Sequence, residues 1–434
     1  MTCRRLSALI FCITLIQLRV GGASGNDLTA KEGWSVNPLP ALAYDSDFGL
    51  MAGGFLDINY YGGLYPNYKH RICLEALTYS KHASFYMLQY DSKYLIPGIR
   101  TSAKVFYDDN PLYWFYGFNG AVHDYNSELN LNKDKGIAYY SYDRKYINTR
   151  LELGGTFSTH LDWTAKLSYW HYWITQLNWE GYDSDSTLFH KYKQMKLIEE
   201  SESHGGDIME FQAGLKYDTR NIESTPTRGI YADVNVAYAP DIFHIGYDYL
   251  KLAARFRHYV SIGTERLVLA YSMAYQGTLA GNQPFYTQSY IIHFKPSDGL
   301  GGATTLRGIL YNRVMGNDYL WGNFELRARL VETNLLNRRV FGVLTPFFDA
   351  GAILKPFRFD RQAEALYEND NVSGISYEQY RSSLLSKARE MHMSCGISAQ
   401  LIVDYNFIPS VTFGIPFDKR DGDYGLYMTL DYIF

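Results

Sequence analysis

Between Met391 and Tyr405 the chain alternates with a period of two. Met391, Met393, Cys395, Ile397, Ala399, Leu401 and Val403 share one register, and His392, Ser394, Gly396, Ser398, Gln400, Ile402 and Asp404 share the other. The run is far longer than the usual strand of about five or six residues. Leu320–Leu330 repeats the pattern, with Phe324, Leu326, Ala328 and Leu330 opposite Asn323, Glu325, Arg327 and Arg329. In Leu250–His258, Lys251, Arg255 and Arg257 oppose Leu252, Ala254 and Phe256. A soluble sandwich turns its apolar face inward, whereas a membrane barrel turns that face to lipid and lines a wet lumen with the charged one. After the first twenty residues no apolar stretch reaches the roughly 18 residues of a helical span, so strand length and aromatic load favour the barrel.

Walking back from the last residue, the pattern predicts strands at 424–434, 408–417, 391–405, 340–354, 319–331, 266–278, 248–259, 229–238, 207–218 and 161–177. The N-terminal half adds 139–156, 98–107, 84–94, 68–79, 49–60 and a short 38–44, shortened by Pro38 and Pro40. An even count of sixteen puts both ends on one side. Short connections such as Pro97-Gly98 alternate with long ones at 108–138, 178–206, 279–318 and 355–390, which reads as periplasmic turns and extracellular loops. The expected fold is all-β, a 16-stranded antiparallel transmembrane β-barrel. In the last strand Leu426, Met428, Leu430, Tyr432 and Phe434 are expected to face outward, and Tyr432 and Phe434 resemble the C-terminal recognition signal of outer-membrane barrels.

Composition sharpens this reading. Forty tyrosines in 434 residues are amphipathic rings that suit strands and the water–membrane boundary. Tyr60, Tyr68, Tyr94, Tyr238, Tyr259 and Tyr432 fall near predicted strand ends, as interfacial girdles require. Residues 1–23 carry Arg4 and Arg5, an apolar core and a small-residue end, the pattern of a signal peptide. Residues 24–37 would then be a short periplasmic segment and 38–434 the barrel. Loss of Arg4, Arg5 and Arg19 takes the formal charge from -4 to -7, which leaves no footprint for nucleic acid. Cys73 and Cys395 lie in different strands and are expected to be free. No nucleophile elbow, zinc motif, phosphate loop or paired catalytic carboxylate stands out, so neither catalytic residues nor a metal or cofactor is expected. His392 and Cys395, three apart on one strand, point to opposite faces.

The loop before the twelfth strand contains Gly299-Leu300-Gly301-Gly302-Ala303-Thr304-Thr305-Leu306-Arg307-Gly308-Ile309. Glu325-Leu326-Arg327 and Phe347-Phe348-Asp349-Ala350-Gly351 follow. Upstream stand Asp218-Thr219-Arg220-Asn221 and Pro226-Thr227-Arg228-Gly229. In order, spacing and strand placement this set resembles the bacterial surface antigen superfamily, the barrels of outer-membrane protein assembly and two-partner secretion. Members carry a Val/Leu-Arg-Gly-Phe/Tyr tip on the sixth extracellular loop and a Phe-x-Asp-x-Gly motif on strand thirteen. Physically, Gly301 and Gly302 let the loop turn tightly into the lumen, and a guanidinium brought there needs a carboxylate, with Asp349 and Glu325 as the lumen-facing candidates. The resemblance implies that Arg307 is held by Asp349. It departs from the family at Ile309, where an aromatic is preferred. With so few residues before the first strand, it implies a barrel-only member without polypeptide-transport-associated domains.

The implied function is insertion or translocation of polypeptides at the bacterial outer membrane through a lateral seam between first and last strands. The alternative is a loop-plugged channel or structural barrel. The implied partners are outer-membrane lipid, unfolded outer-membrane proteins or secreted cargo, and a separate periplasmic protein.

Overall fold

In a computed structural model, residues 32–63, 68–293, 297–335, 338–369, 373–405, 407–430, 432 and 434 are described. Residues 1–31 lie outside them, and with these the expected signal peptide. Sixteen of the described strands close into one antiparallel barrel. They are β1 (Trp34–Asp45), β2 (Gly49–Tyr60), β3 (His70–Tyr79), β4 (Ser84–Ile96), β5 (Ile99–Trp114), β6 (Ser141–Ser158), β7 (Leu161–Thr175) and β8 (Gly205–Asp218). There follow β9 (Gly229–Ala239), β10 (Asp248–Ser261), β11 (Leu267–Asn282), β12 (Asp318–Leu335), β13 (Arg338–Lys355), β14 (His392–Val403), β15 (Ser410–Pro416) and β16 (Gly425–Thr429). Every predicted strand is present, and most boundaries lie within a few residues of expectation.

The alternation also holds. On β12, Phe324 and Leu330 are exposed while Asn323, Glu325 and Arg327 are buried. Apolar side chains therefore face out and polar ones face the barrel interior, as in a lipid-embedded sheet. Cys73 and Cys395 are both free.

Two ends of the sheet depart from expectation. β1 is not short: all twelve residues pair with β2, including Pro38 with Leu56 and Pro40 with Gly54. Proline removes a donor from only one side of a strand, so it is tolerated where the other side is an open edge. Among the described residues the side of β1 that faces β16 is sparsely paired. Asp45↔Tyr427 is the one registered pair between the two strands among the described residues. Ser46 adds a backbone N–H donated to Leu426 O at 2.9 Å.

The second departure is the chain end. Leu426, Met428 and Leu430 do face out, but strand pairing stops at Thr429. Phe434 is 6 % exposed and packs with Tyr259, Val268 and Ala270 on the interior faces of β10 and β11. Tyr432 lies over the Arg327 guanidinium at 4.0 Å. Both rings turn inward because an interior cation and an apolar patch are available there. Tyr68 and Tyr259 likewise leave the expected girdle, Tyr68 to donate to Asp91 Oδ2 at 2.6 Å. Tyr94 and Tyr238 remain exposed on the outer face.

The long-loop end has its own core. Phe115, Phe118, Tyr142, Phe189, Tyr192, Phe285 and Phe357, from the third, fourth, sixth and seventh long loops and β6, are buried together. Three helices sit there: α1 (Leu188–Gln194), α2 (Phe359–Asn369) and α3 (Tyr377–Ala388). α3 is started by a capping box between Ser376 and Gln379. His123 Nε2 meets the Tyr192 hydroxyl at 2.6 Å. Burial, reinforced by the charge of Arg313, lowers His123 to about 4, so the ring is a neutral imidazole.

Candidate functional site: the arginine loop and the barrel seam

Gly301, Gly302 and Gly308 all adopt left-handed backbone, with φ of 117°, 76° and 88°. At Gly308 a Cβ would lie 2.6 Å from Gly414 C and 2.7 Å from Ile415 N on β15. Only glycine allows the loop to approach that strand so closely. The loop is closed on itself by Thr305, whose hydroxyl accepts from Gly301 N and donates to Gly301 O, both at 2.9 Å. Leu300, Leu306 and Ile309 are buried with Val314, Trp321 and Ile353, so Ile309 packs fully at the position where an aromatic is preferred.

This shape delivers Arg307 to two neighbouring strands. Its Nε and Nη2 donate to the two oxygens of Asp349 at 2.8 Å each, and its backbone N–H donates to Asp349 Oδ2 at 2.9 Å. Nη1 donates to Glu325 Oε1 at 2.6 Å. Asp349 and Glu325 stand two steps apart on one face because Asn323↔Asp349 and Glu325↔Phe347 are register partners between β12 and β13. Glu325 Oε2 accepts a second cation, Arg327 Nε, at 2.8 Å. The Arg307 guanidinium also lies 3.6 Å from the centroid of the Phe347 ring, a cation–π contact. All four charged groups are buried, two cations against two carboxylates, so the desolvated charges balance. The structure thus brings Arg307, Asp349, Glu325 and Phe347 together. Gly351 lies beside Leu306, where a Cβ would sit 3.0 Å from Leu306 Cδ1.

Sequence reasoning missed the partners that tie this loop to the seam. Tyr427 on β16 accepts the Gly308 N–H at 3.1 Å, and Asp47, in the turn after β1, accepts the Tyr311 N–H at 3.1 Å. It also missed Arg313, fully buried, which donates to Arg420 O and Gly120 O at 2.9 Å and to His123 O. No motif signals these contacts, because each joins segments more than a hundred residues apart.

Elsewhere, Arg220 makes a two-point pair with Asp218, at 2.9 Å and 2.7 Å, and Asn221 bonds Thr227 at 2.8 Å, which closes the Asp218–Gly229 turn. His190 and His204 lie in the fourth long loop, His204 bonded to the exposed Glu200 at 3.0 Å. Among the described residues no group of three or more His, Cys, Asp or Glu could hold a metal ion.

A family model described as the Omp85 superfamily domain matches residues 74–430. The chain belongs to the Omp85 superfamily. Membership places the barrel in the outer membrane, in a class of protein transport and assembly factors, as the loop and strand-thirteen motifs implied. BamA from Haemophilus ducreyi lacking POTRA domains 1–3 shares the fold, with a TM-score of 0.57 and 17 % identity over 92 % of this chain and 70 % of that one. CdiB from Escherichia coli follows, with a TM-score of 0.54 and 13 % identity over 93 % of this chain. This Omp85 barrel spans 64 % of that CdiB chain. No curated protein matches it.

Proposed function

We propose that this Omp85 barrel assists the insertion or translocation of polypeptides at the bacterial outer membrane, using the boundary between β1 and β16 as a lateral opening. The observation that carries the reading is the seam, joined by one registered pair, Asp45↔Tyr427, while the rest of the β1 edge has no described partner on β16. An unpaired edge is a template for an incoming strand, which could add by main-chain hydrogen bonds. The sixth loop is proposed to fold into the lumen, with Arg307 latched by Asp349 and Glu325 beside the seam. No covalent chemistry enters this mechanism. The partners are outer-membrane lipid, unfolded barrel proteins or secreted cargo, and a periplasmic protein that presents them.

The test is a reversible lock. With Cys73 and Cys395 changed to serine, Asp45→Cys and Tyr427→Cys place two thiols at register-paired positions. The oxidised barrel is expected to stop accelerating the folding of a test barrel protein into liposomes, and reduction is expected to restore it. Full activity in the locked barrel refutes the seam.

A second reading, a loop-plugged channel or structural barrel without insertion activity, is favoured by the aromatic core at the long-loop end. Sixteen strands leave room for an aqueous passage, which such a plug would narrow. The same liposomes decide between the two, since a channel passes small solutes and leaves the test barrel's folding rate unchanged.

A further inference from the structure

At the short-turn rim, which in a bacterial barrel faces the periplasm, β12 outruns its neighbour β11. The last registered pair between them is Leu267↔Ala328, and the Arg329 N–H, donated to Arg266 O at 2.8 Å, ends the ladder. Beyond it, Val331 to Leu335 pair with β13 alone among the described residues, from Gly342 to Arg338. A register shift between Arg329 and Val331 marks where this overhang begins, and such a bulge bends and twists a strand away from its sheet. The far side of β13 is covered by Asp404. The Arg339 N–H donates to Asp404 Oδ1 at 3.0 Å, and the Asp404 N–H donates to Arg339 O at 2.9 Å. The open edge therefore belongs to β12, at residues 330–335.

Both faces of this overhang are bare. Leu330, Val331 and Leu335 are 65 %, 59 % and 60 % exposed, and Glu332, Thr333 and Asn334 between them are exposed as well. An open sheet edge is not stable in hydrocarbon, where its main-chain groups would go unmet, so these residues stand in water. In water, an uncovered edge carrying three large apolar side chains is a template for another strand. The surrounding charges give that edge a sign. The side chains of Arg266 and Arg338 are each 68 % exposed. Glu332 is shared by three cations, with Arg339 at 2.6 Å, Arg266 at 3.8 Å and Arg329 at 4.0 Å. Asp404 takes Arg338 at 2.6 Å. With the exposed Glu265 included, four guanidinium groups meet three carboxylates, so this part of the rim stays positive.

We propose that residues 330–335 of β12 form a docking edge for a periplasmic protein, which adds a strand of alternating apolar and acidic residues beside β12. Main-chain hydrogen bonds supply the affinity. The side chains supply the choice of partner, apolar ones extending the patch of Leu330, Val331 and Leu335 and carboxylates meeting Arg266 and Arg338. The inference rests on the reading above for the existence of a periplasmic partner, and it adds where that partner binds and by what chemistry.

The test uses the full-length barrel in nanodiscs and two fluorescein-labelled peptides of about ten residues, read by anisotropy, one alternating valine with glutamate and one alternating valine with lysine. The glutamate peptide is expected to bind and the lysine peptide to stay free. Methylating alternate amide nitrogens of the glutamate peptide, which removes its ladder donors, is expected to abolish binding. Arg266→Glu with Arg338→Glu is expected to weaken the glutamate peptide about tenfold and to admit the lysine peptide. Arg266→Gln with Arg338→Gln serves as the milder pair, expected to bind with intermediate affinity, and heat-modifiable mobility reports that each barrel is folded. Binding that ignores amide methylation, or that survives charge reversal unchanged, overturns the site. Leu335→Cys, with Cys73 and Cys395 changed to serine, is expected to react with a water-soluble maleimide as fast in nanodiscs as in detergent. Protection seen only in nanodiscs would mean that lipid covers the edge, and protection in detergent that dilution relieves would mean that a second copy of the chain does; either result overturns the proposal. Liposome insertion by the unaltered chain is measured in parallel. Methylation-sensitive peptide binding without insertion refutes the function and keeps the site, whereas insertion by a barrel that ignores the peptide refutes the site alone.

Discussion

Arg307 shows how one side chain can organise a barrel wall. It is bidentate to Asp349, singly bonded to Glu325, and stacked on Phe347. Deleting one partner of a buried ion pair typically costs about 3–5 kcal/mol, because the other charge is left without compensation. Asp349→Ala is therefore expected to lower the unfolding temperature, free the proposed latch and raise ion conductance in planar bilayers. Unchanged conductance would remove the latch from the mechanism. A second residue-scale outcome concerns Asp47, outside the strands. Burial first, then the neighbouring Asp45 carboxylate, pushes Asp47 from 3.8 to about 8. The folded chain then holds a proton that the unfolded chain has released, so this group's contribution falls as pH rises from about 4 to about 8. Asp47→Asn keeps an acceptor for the Tyr311 N–H and is expected to flatten that part of the pH profile of thermal unfolding. Identical slopes for the two proteins would exclude Asp47 as its source.

At the scale of elements, the loop tip and β15 fit only because neither side carries a Cβ where they meet. A Cβ on Gly308 would press on Gly414, and one on Gly414 would lie 3.0 Å from Arg307 C and O. Gly308→Ala also places a side chain at φ 88°. The backbone strain alone is on the order of 1–3 kcal/mol. Loss of the Gly308 N–H bond to Tyr427 is expected to follow, seen as faster amide exchange at Gly308 and on β16 while exchange on β6 and β7 stays unchanged. Uniform protection across all these strands would show that loop and seam are uncoupled. The inward turn of the chain after Thr429 belongs to the same scale, since it leaves β16 five residues long against twelve in β1.

Across the whole molecule, distant loops are fastened by single buried polar groups. Arg313 in the sixth loop joins the third loop through Gly120 O and His123 O and the eighth through Arg420 O. Glu202 accepts from Arg358 Nη2 at 3.0 Å and from Phe285 N–H at 2.9 Å, and so links the fourth, seventh and sixth loops. Arg313→Ala removes three donated hydrogen bonds and leaves the His123 carbonyl without this donor, a loss on the order of 3 kcal/mol at about 1 kcal/mol each. Protease added outside intact cells is expected to cut the third loop of that variant faster than the parent's, and equal cutting rates would mean the aromatic core alone holds the cap.

How much of this was legible beforehand follows from the range of each interaction. Period-two alternation is local, so the sixteen strands, their inward and outward faces and the placement of Asp349 and Glu325 on adjoining strands could be read residue by residue. Arg307 was legible too, because a cation among glycines in a loop demands an acid and the barrel face offered two. The inward turn of Tyr432 and Phe434 was not legible, since the alternation continues unbroken to the last residue. What draws those rings inside is a pocket built by β10, β11 and β12. Pro38 and Pro40 misled for the same reason, because a missing donor matters only on a side that has a neighbour. The β1–β16 boundary and the partners Asp47, Tyr427 and Arg313 join positions far apart in the chain. Local pattern carries no information about such pairs, and closure of the barrel is what brings them within hydrogen-bonding distance.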